Sequence, residues 1–172
     1  MRNIYIMSGL PGSGKSTWIG QHAAWGDLVF HRDELREKLR DELGLERAMD
    51  CPPVLEYERW VGHIIEALTK CPGVDAYIDQ TTLTQGALNK LLTGIAPAVC
   101  GNDLIIITRI HTNTSLCRKR NAERTGDALV PDDVITSMEK SMRRDPITME
   151  KCRKNYPWMH FDTLHETSME TI

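Results

Sequence analysis

An α/β domain built around a parallel sheet is the fold class this sequence predicts, on three observations. Short apolar runs alternate with longer amphipathic ones, which is the order of βα units. The first apolar run ends in a glycine-rich turn, Gly9 to Ser16, that leads straight into a helix-forming segment. The chain has 172 residues, 41% of them hydrophobic, enough for one domain with a real core and little besides.

Five strands are predicted, at Asn3 to Ser8, Leu28 to His31, Asp75 to Asp79, Asp103 to Thr108, and a weaker one near Trp158 to Phe161. Helical periodicity fills the intervals at Lys15 to Ala24, Asp33 to Leu43, Pro53 to Lys70, Gln85 to Ile95, Asn113 to Arg124 and Pro131 to Arg144. Pro131, with Asp132 and Asp133 behind it, suits a first helical turn, where a missing N–H is harmless and negative charge meets the helix dipole. Gly44 to Pro52 and Gly126 to Val130 read as loops. Residues 1–161 read as the domain and 162–172 as a loosely held polar tail.

Composition excludes several functions. Lys and Arg number 21 against 24 Asp and Glu, a net charge of −3, so any nucleic-acid site must be a local patch. The longest aliphatic run, Leu104 to Ile107, is far too short to span a membrane, and the N-terminus has no apolar signal region, so a cytoplasmic protein is expected. The five cysteines lack metal or redox spacing and are expected to be reduced and mostly buried. The six histidines show no metal-ligand spacing, and the four tryptophans are expected in the core.

Gly9-Leu10-Pro11-Gly12-Ser13-Gly14-Lys15-Ser16 is a complete G-x-x-x-x-G-K-[ST] motif in its proper place between strand and helix. Its glycines let successive N–H groups curl around phosphate oxygens at the positive end of the next helix. Lys15 then reaches the β- and γ-phosphates, and the Ser16 hydroxyl joins a magnesium shell. ATP and Mg²⁺ are thus expected, with Gly9, Gly12, Ser13, Gly14, Lys15, Ser16 and Thr17 as the nucleotide-binding set. Lookalike motifs fail. A dinucleotide G-x-G-x-x-G would need glycine where Thr17 stands, and His31-Arg32-Asp33 lacks the asparagine a protein-kinase loop needs, at Lys38. The guanine-reading N-K-x-D would need aspartate at Leu92, which favours ATP over GTP.

In sheets of this kind the acceptor lies at the carboxyl ends of the strands. Asp33 and Arg36 follow the second strand three residues apart, on one helical face. The carboxylate is a candidate general base and the arginine a candidate anion clamp; the same charges also make an ordinary solvated helix start. Asp79 ends the third strand, where it could orient magnesium-bound water or a basic group. Arg118, Lys119, Arg120 and Arg124 crowd the approach to Thr125-Gly126-Asp127, a hinge and lid arrangement in which Arg118 and Lys119 read as solvated.

These residues together resemble a known family, the P-loop kinase domain of bacteriophage polynucleotide kinases, which phosphorylate 5′-hydroxyl ends. The resemblance runs over nearly the whole chain. It rests on Gly9 to Trp18, Arg32-Asp33-Glu34-Leu35-Arg36, Ile78-Asp79-Gln80-Thr81, Arg120-Asn121-Ala122-Glu123-Arg124, and Val130-Pro131 through Arg143. It implies a three-layer P-loop kinase fold with a five-stranded parallel sheet and a helical lid over about residues 113–131. It further implies that Asp33 is the general base, that Arg36 grips the acceptor's neighbouring phosphate, and that Asp79 is functional. Lys15 and Ser16 would serve phosphates and magnesium, and Arg124 would be the lid arginine on the donor. The lid is one residue longer before Val130-Pro131, which leaves Arg120 beside Arg124 for that role. The implied partner is the 5′-hydroxyl end of DNA or RNA, in end repair, with no membrane; a homo-oligomer is compatible with the sequence. Leu164 stands where a phosphatase domain would begin with a second aspartate, so no 3′-phosphatase activity is expected. Relatives in the broader group phosphorylate nucleosides, antibiotics or sugars, which keeps a small-molecule kinase and a non-catalytic nucleotide-gated module as alternatives.

Overall fold

The computed structural model describes residues 1–169. Four apolar runs form strands β1 (Asn3–Ser8), β2 (Leu28–His31), β3 (Ala76–Asp79) and β4 (Leu104–His111). They pair in parallel in the order β2-β3-β1-β4. The sheet has six strands rather than the expected five. Beyond the short β5 (His160–Phe161), a strand β6 (His165–Ser168) forms inside the stretch expected to be a polar tail, and both lie parallel along β4. His160 faces Leu104 while His165 faces Thr108, so the outer strand advances five residues against four and an extra residue interrupts it. His165-Glu166-Thr167-Ser168 is polar throughout, as edge strands tend to be, and gave no apolar signal. The last three residues of the expected tail, 170–172, lie outside the described residues.

Alternation sorts the central strands between two layers. Ile4, Ile6, Ala76, Ile78, Ile105 and Ile107 pack with Trp60, Ile64 and Leu68 of helix α3 and Leu88, Leu92 and Ile95 of α4. Met7, Tyr77 and Ile110 face the other way, toward Ile19 of α1, and the Tyr5 and Tyr77 rings stack at 4.6 Å. Both faces are covered, which is why these strands read as continuous apolar runs. Helices α1 (Lys15–His22), α2 (Arg32–Leu43), α3 (Pro53–Lys70), α4 (Gln85–Ile95), α5 (Thr114–Ala122) and α6 (Asp132–Arg144) sit on their predicted spans, α3 and α4 residue for residue. Pro131 caps α6 instead of opening its first turn. An unpredicted α7 (Met149–Asn155) buries Cys152, and 3₁₀ turns form at Ala48–Asp50 and Gly126–Ala128 within the predicted loops.

The tryptophans divide. Trp60 is buried and Trp18 stacks on His22, whereas Trp25 and Trp158 are exposed, against expectation, because both sit in turns outside the layers. All five cysteines are free thiols, and Cys51, Cys117 and Cys152 are buried. A buried cation also ties the layers together. Arg2 donates to the Leu68 and Ala98 carbonyls at 2.7 and 2.9 Å and pairs with buried Asp103, the compensation a buried charge requires. Among the described residues no helix is long and apolar enough to cross a membrane.

Candidate active site

With β1 ending at Ser8 and α1 beginning at Lys15, residues 9–14 must turn the chain over the carboxyl edge of the sheet. Gly12 and Gly14 do so at φ of 78° and 98°, a region that favours glycine, and a Cβ on Gly12 would collide with the Cys117 carbonyl of α5. The turn closes on its own lysine: Lys15 Nζ donates to the carbonyls of Gly9 and Leu10 at 2.9 and 3.0 Å. Burial lowers the Lys15 pKa, and the Arg124 charge pushes the same way against the pull of Asp79 and Asp33. An ammonium has three donors, so one stays available for an anion that would offset the cost of its burial. Ser13 Oγ is buried without a hydrogen-bond partner among the described residues.

Strand register brings the next groups together. β2 and β3 pair so that His31 lies directly across from Asp79. Asp79 Oδ2 accepts from Ser16 Oγ at 2.6 Å and contacts His31 Nδ1 at 3.1 Å. Burial pushes the Asp79 carboxyl up, but the His31 and Ser16 hydrogen bonds and the Lys15 charge outweigh it and hold its pKa below the ordinary 3.8. An ionised carboxylate beside a hydroxyl is the hard oxygen set that suits magnesium. The bond to Asp79 raises the His31 pKa above 6.5, against partial burial.

The signs define a pH window. The stabilisation from Asp79 is present above its ordinary value and lost as pH falls through its lowered folded one. That from His31 is present below 6.5 and lost as pH rises through its raised folded value. Urea unfolding should therefore show wild type outlasting His31→Phe by more near pH 5.5 than near pH 8.5, both roughly chosen to bracket the histidine titration. An equal margin at both would mean that ring packing alone is at stake.

β2 passes into α2 without a loop, which puts Arg32, Asp33 and Arg36 at the sheet edge. Arg36 Nη1 donates to Asp33 Oδ1 at 3.0 Å. The Asp33 side chain is 81% exposed yet lines a cleft of about 970 Å³ together with Lys15, Ser16, Arg36, Asp79 and Arg124. Behind the arginines stands Glu56 of α3, buried, its Oε1 accepting from the Nε groups of both Arg32 and Arg36. The exit of β3 is fixed by Trp60 Nε1 donating to Gln80 Oε1 at 2.7 Å and Gln80 Nε2 to Thr82 Oγ1 at 2.9 Å.

On the lid side, buried Asn121 both donates to the Val130 carbonyl and accepts from its N–H, pinching the loop shut. Asp127 accepts from the Ala48 N–H at 2.7 Å, which tethers the loop across the cleft mouth. Arg124 is exposed and lines the cleft, while Arg120 donates to the Met169 carbonyl and lies away from the cleft wall. Arg118, expected to be solvated, instead bridges α5 to α6 through Asp132, Thr136 and Glu139. The fold thus brings together every expected site residue of the phosphate turn, acceptor wall and lid except Arg120, with Gly9, Gly12, Ser13, Gly14 and Thr17 forming the turn beneath rather than the wall. Sequence reading missed His31, Arg32 and Glu56. A glutamate inside an apolar helical stripe was the one signal for Glu56; His31 and Arg32 had none beyond adjacency to Asp33.

The comparisons agree with this geometry. A family profile described as an AAA domain matches residues 4–145, and the chain belongs to that family. No curated protein matches it. Among solved structures, a protein from Chloroflexus aurantiacus described provisionally as a kinase is similar at TM-score 0.59 and 16% identity, covering 99% of this chain and 89% of its own. A sugar kinase from Janibacter sp. HTCC2649 is similar at TM-score 0.55 and 12% identity, covering 99% and 85%. The tunicamycin resistance protein of Deinococcus radiodurans is similar at 0.53 and 12%, covering 83% and 78%. The chain has a P-loop kinase-type α/β fold.

Proposed function

We propose that this chain is an ATP- and magnesium-dependent polynucleotide kinase, which moves the γ-phosphate of ATP to the 5′-hydroxyl end of DNA or RNA in end repair. The supporting observation is the single cleft lined at once by Lys15 and Ser16 of the phosphate turn, Asp33 and Arg36 of the acceptor wall, and Arg124 of the lid. Asp33 takes the proton of the attacking hydroxyl as its oxygen bonds to the γ-phosphorus, while the bond from that phosphorus to the bridging oxygen breaks and ADP leaves. Lys15 and Arg124 offset the charge on the transferring group, and Arg36 takes the phosphate on the 3′ side of the acceptor. Ser16 and Asp79 would hold magnesium, which neutralises phosphate charge when bound.

A small-molecule acceptor is the second reading, favoured by the net charge of −3, which gives no general attraction to a polyanion. Labelled ATP offered in parallel with 5′-hydroxyl oligonucleotides, nucleosides and sugars separates the readings. Label in oligonucleotides at lower KM than in nucleosides is the expected result. Label only in a nucleoside or sugar establishes the second reading, and tight ATP binding without transfer to any acceptor establishes a nucleotide-gated module.

A further inference from the structure

We infer that Arg32 and Arg36 form a two-guanidinium acceptor-phosphate site assembled by Glu56, a positioning residue. The inference rests on the polynucleotide-kinase reading and narrows its acceptor to a 5′-hydroxyl nucleotide whose 3′ oxygen carries a phosphate. Glu56 sits in the first turn of α3 and is only 7% exposed. One oxygen, Oε1, receives Arg32 Nε at 2.7 Å and Arg36 Nε at 2.8 Å. Nε is the inner donor of a guanidinium, so anchoring both arginines there leaves their outer forks for the cleft that both of them line. The terminal nitrogens of Arg32 make no hydrogen bond among the described residues, and Arg36 commits Nη1 alone, to Asp33.

The charge balance points the same way. A buried carboxylate needs one cation, yet this one holds two, which repel each other and leave an excess positive charge at the cleft wall. The other neighbour, Asp33, is 81% exposed and screened by water. A phosphate supplies what is missing, with oxygens in the planar spacing that guanidinium forks match. The chain Glu56 to Arg36 to Asp33 also fixes the base relative to that phosphate, so the hydroxyl one sugar away arrives at the carboxylate.

Calorimetry with ADP-loaded protein tests this, using thymidine 3′,5′-bisphosphate against thymidine 5′-monophosphate. Wild type should prefer the bisphosphate by about tenfold or more, the worth of charge-assisted hydrogen bonds to one anion. Arg32→Ala and Glu56→Ala should each lose most of that preference with ADP affinity unchanged, and Glu56→Gln, which keeps the accepting oxygen, should recover part of it. If Glu56→Ala does not fold, Arg32→Ala and Glu56→Gln carry the comparison. A preference undiminished in Arg32→Ala, or bisphosphate and ADP weakened alike in both Glu56 variants, overturns the inference. Transfer to 5′-hydroxyl oligonucleotides without any wild-type preference for the bisphosphate overturns the site and keeps the kinase reading. The preference without transfer to any polynucleotide keeps the site and overturns the reading.

Discussion

Replacing Asp33 by alanine is expected to lower kcat by roughly 10²- to 10⁴-fold, the usual cost of a lost general base, while ATP binds as before. The side chain is 81% exposed and its ion pair is with Arg36 on the same helix. Exposed pairs of that kind contribute little to folding, so the variant should melt with wild type. Asp33→Asn sharpens the test, because the amide oxygen still accepts from Arg36 but takes no proton. It should be as slow as the alanine variant. Loss of ATP affinity in either, or full activity in the asparagine variant, would remove Asp33 from the proton transfer.

Lys15→Met should lower phosphoryl transfer by about 10²- to 10³-fold or more, the cost of removing one preorganised charge donor from the transition state, and should at the same time raise thermal stability. The second effect follows from the first-stage geometry. Burial lowers the Lys15 pKa, so the folded state disfavours the charged form and is penalised at every pH below the ordinary lysine value. Methionine keeps much of the apolar stem and removes that penalty, as expected where function is held at the expense of stability. Without ATP the melting temperature of the variant should rise; saturating ATP should stabilise wild type far more than the variant. A variant that melts lower than wild type without ligand would mean that the bonds from Lys15 to the Gly9 and Leu10 carbonyls hold the turn together.

Much of this molecule was legible before its structure. The turn from Gly9 to Ser16 carries its conformation in its own glycines, and α3 and α4 show their spans through apolar spacing alone. Asp33 and Arg36 could be placed on one face because three residues along a helix is a local fact. The edge strand β6 was not legible, since polar residues on a sheet rim carry no periodic signal.

What the sequence by itself determined was every feature set by neighbours a few residues apart: the phosphate turn, the helices, the central strands and the acceptor face of α2. Only the tertiary structure decided that His31 stands across from Asp79, that Ser16 meets Asp79 from 63 residues away, and that Glu56 gathers two arginines. Those contacts depend on strand order and on which helix covers which face, and both are fixed by the packing of the whole core. A carboxylate on an amphipathic helix reads the same in sequence whether it faces water or two guanidinium groups; burial alone separates the cases.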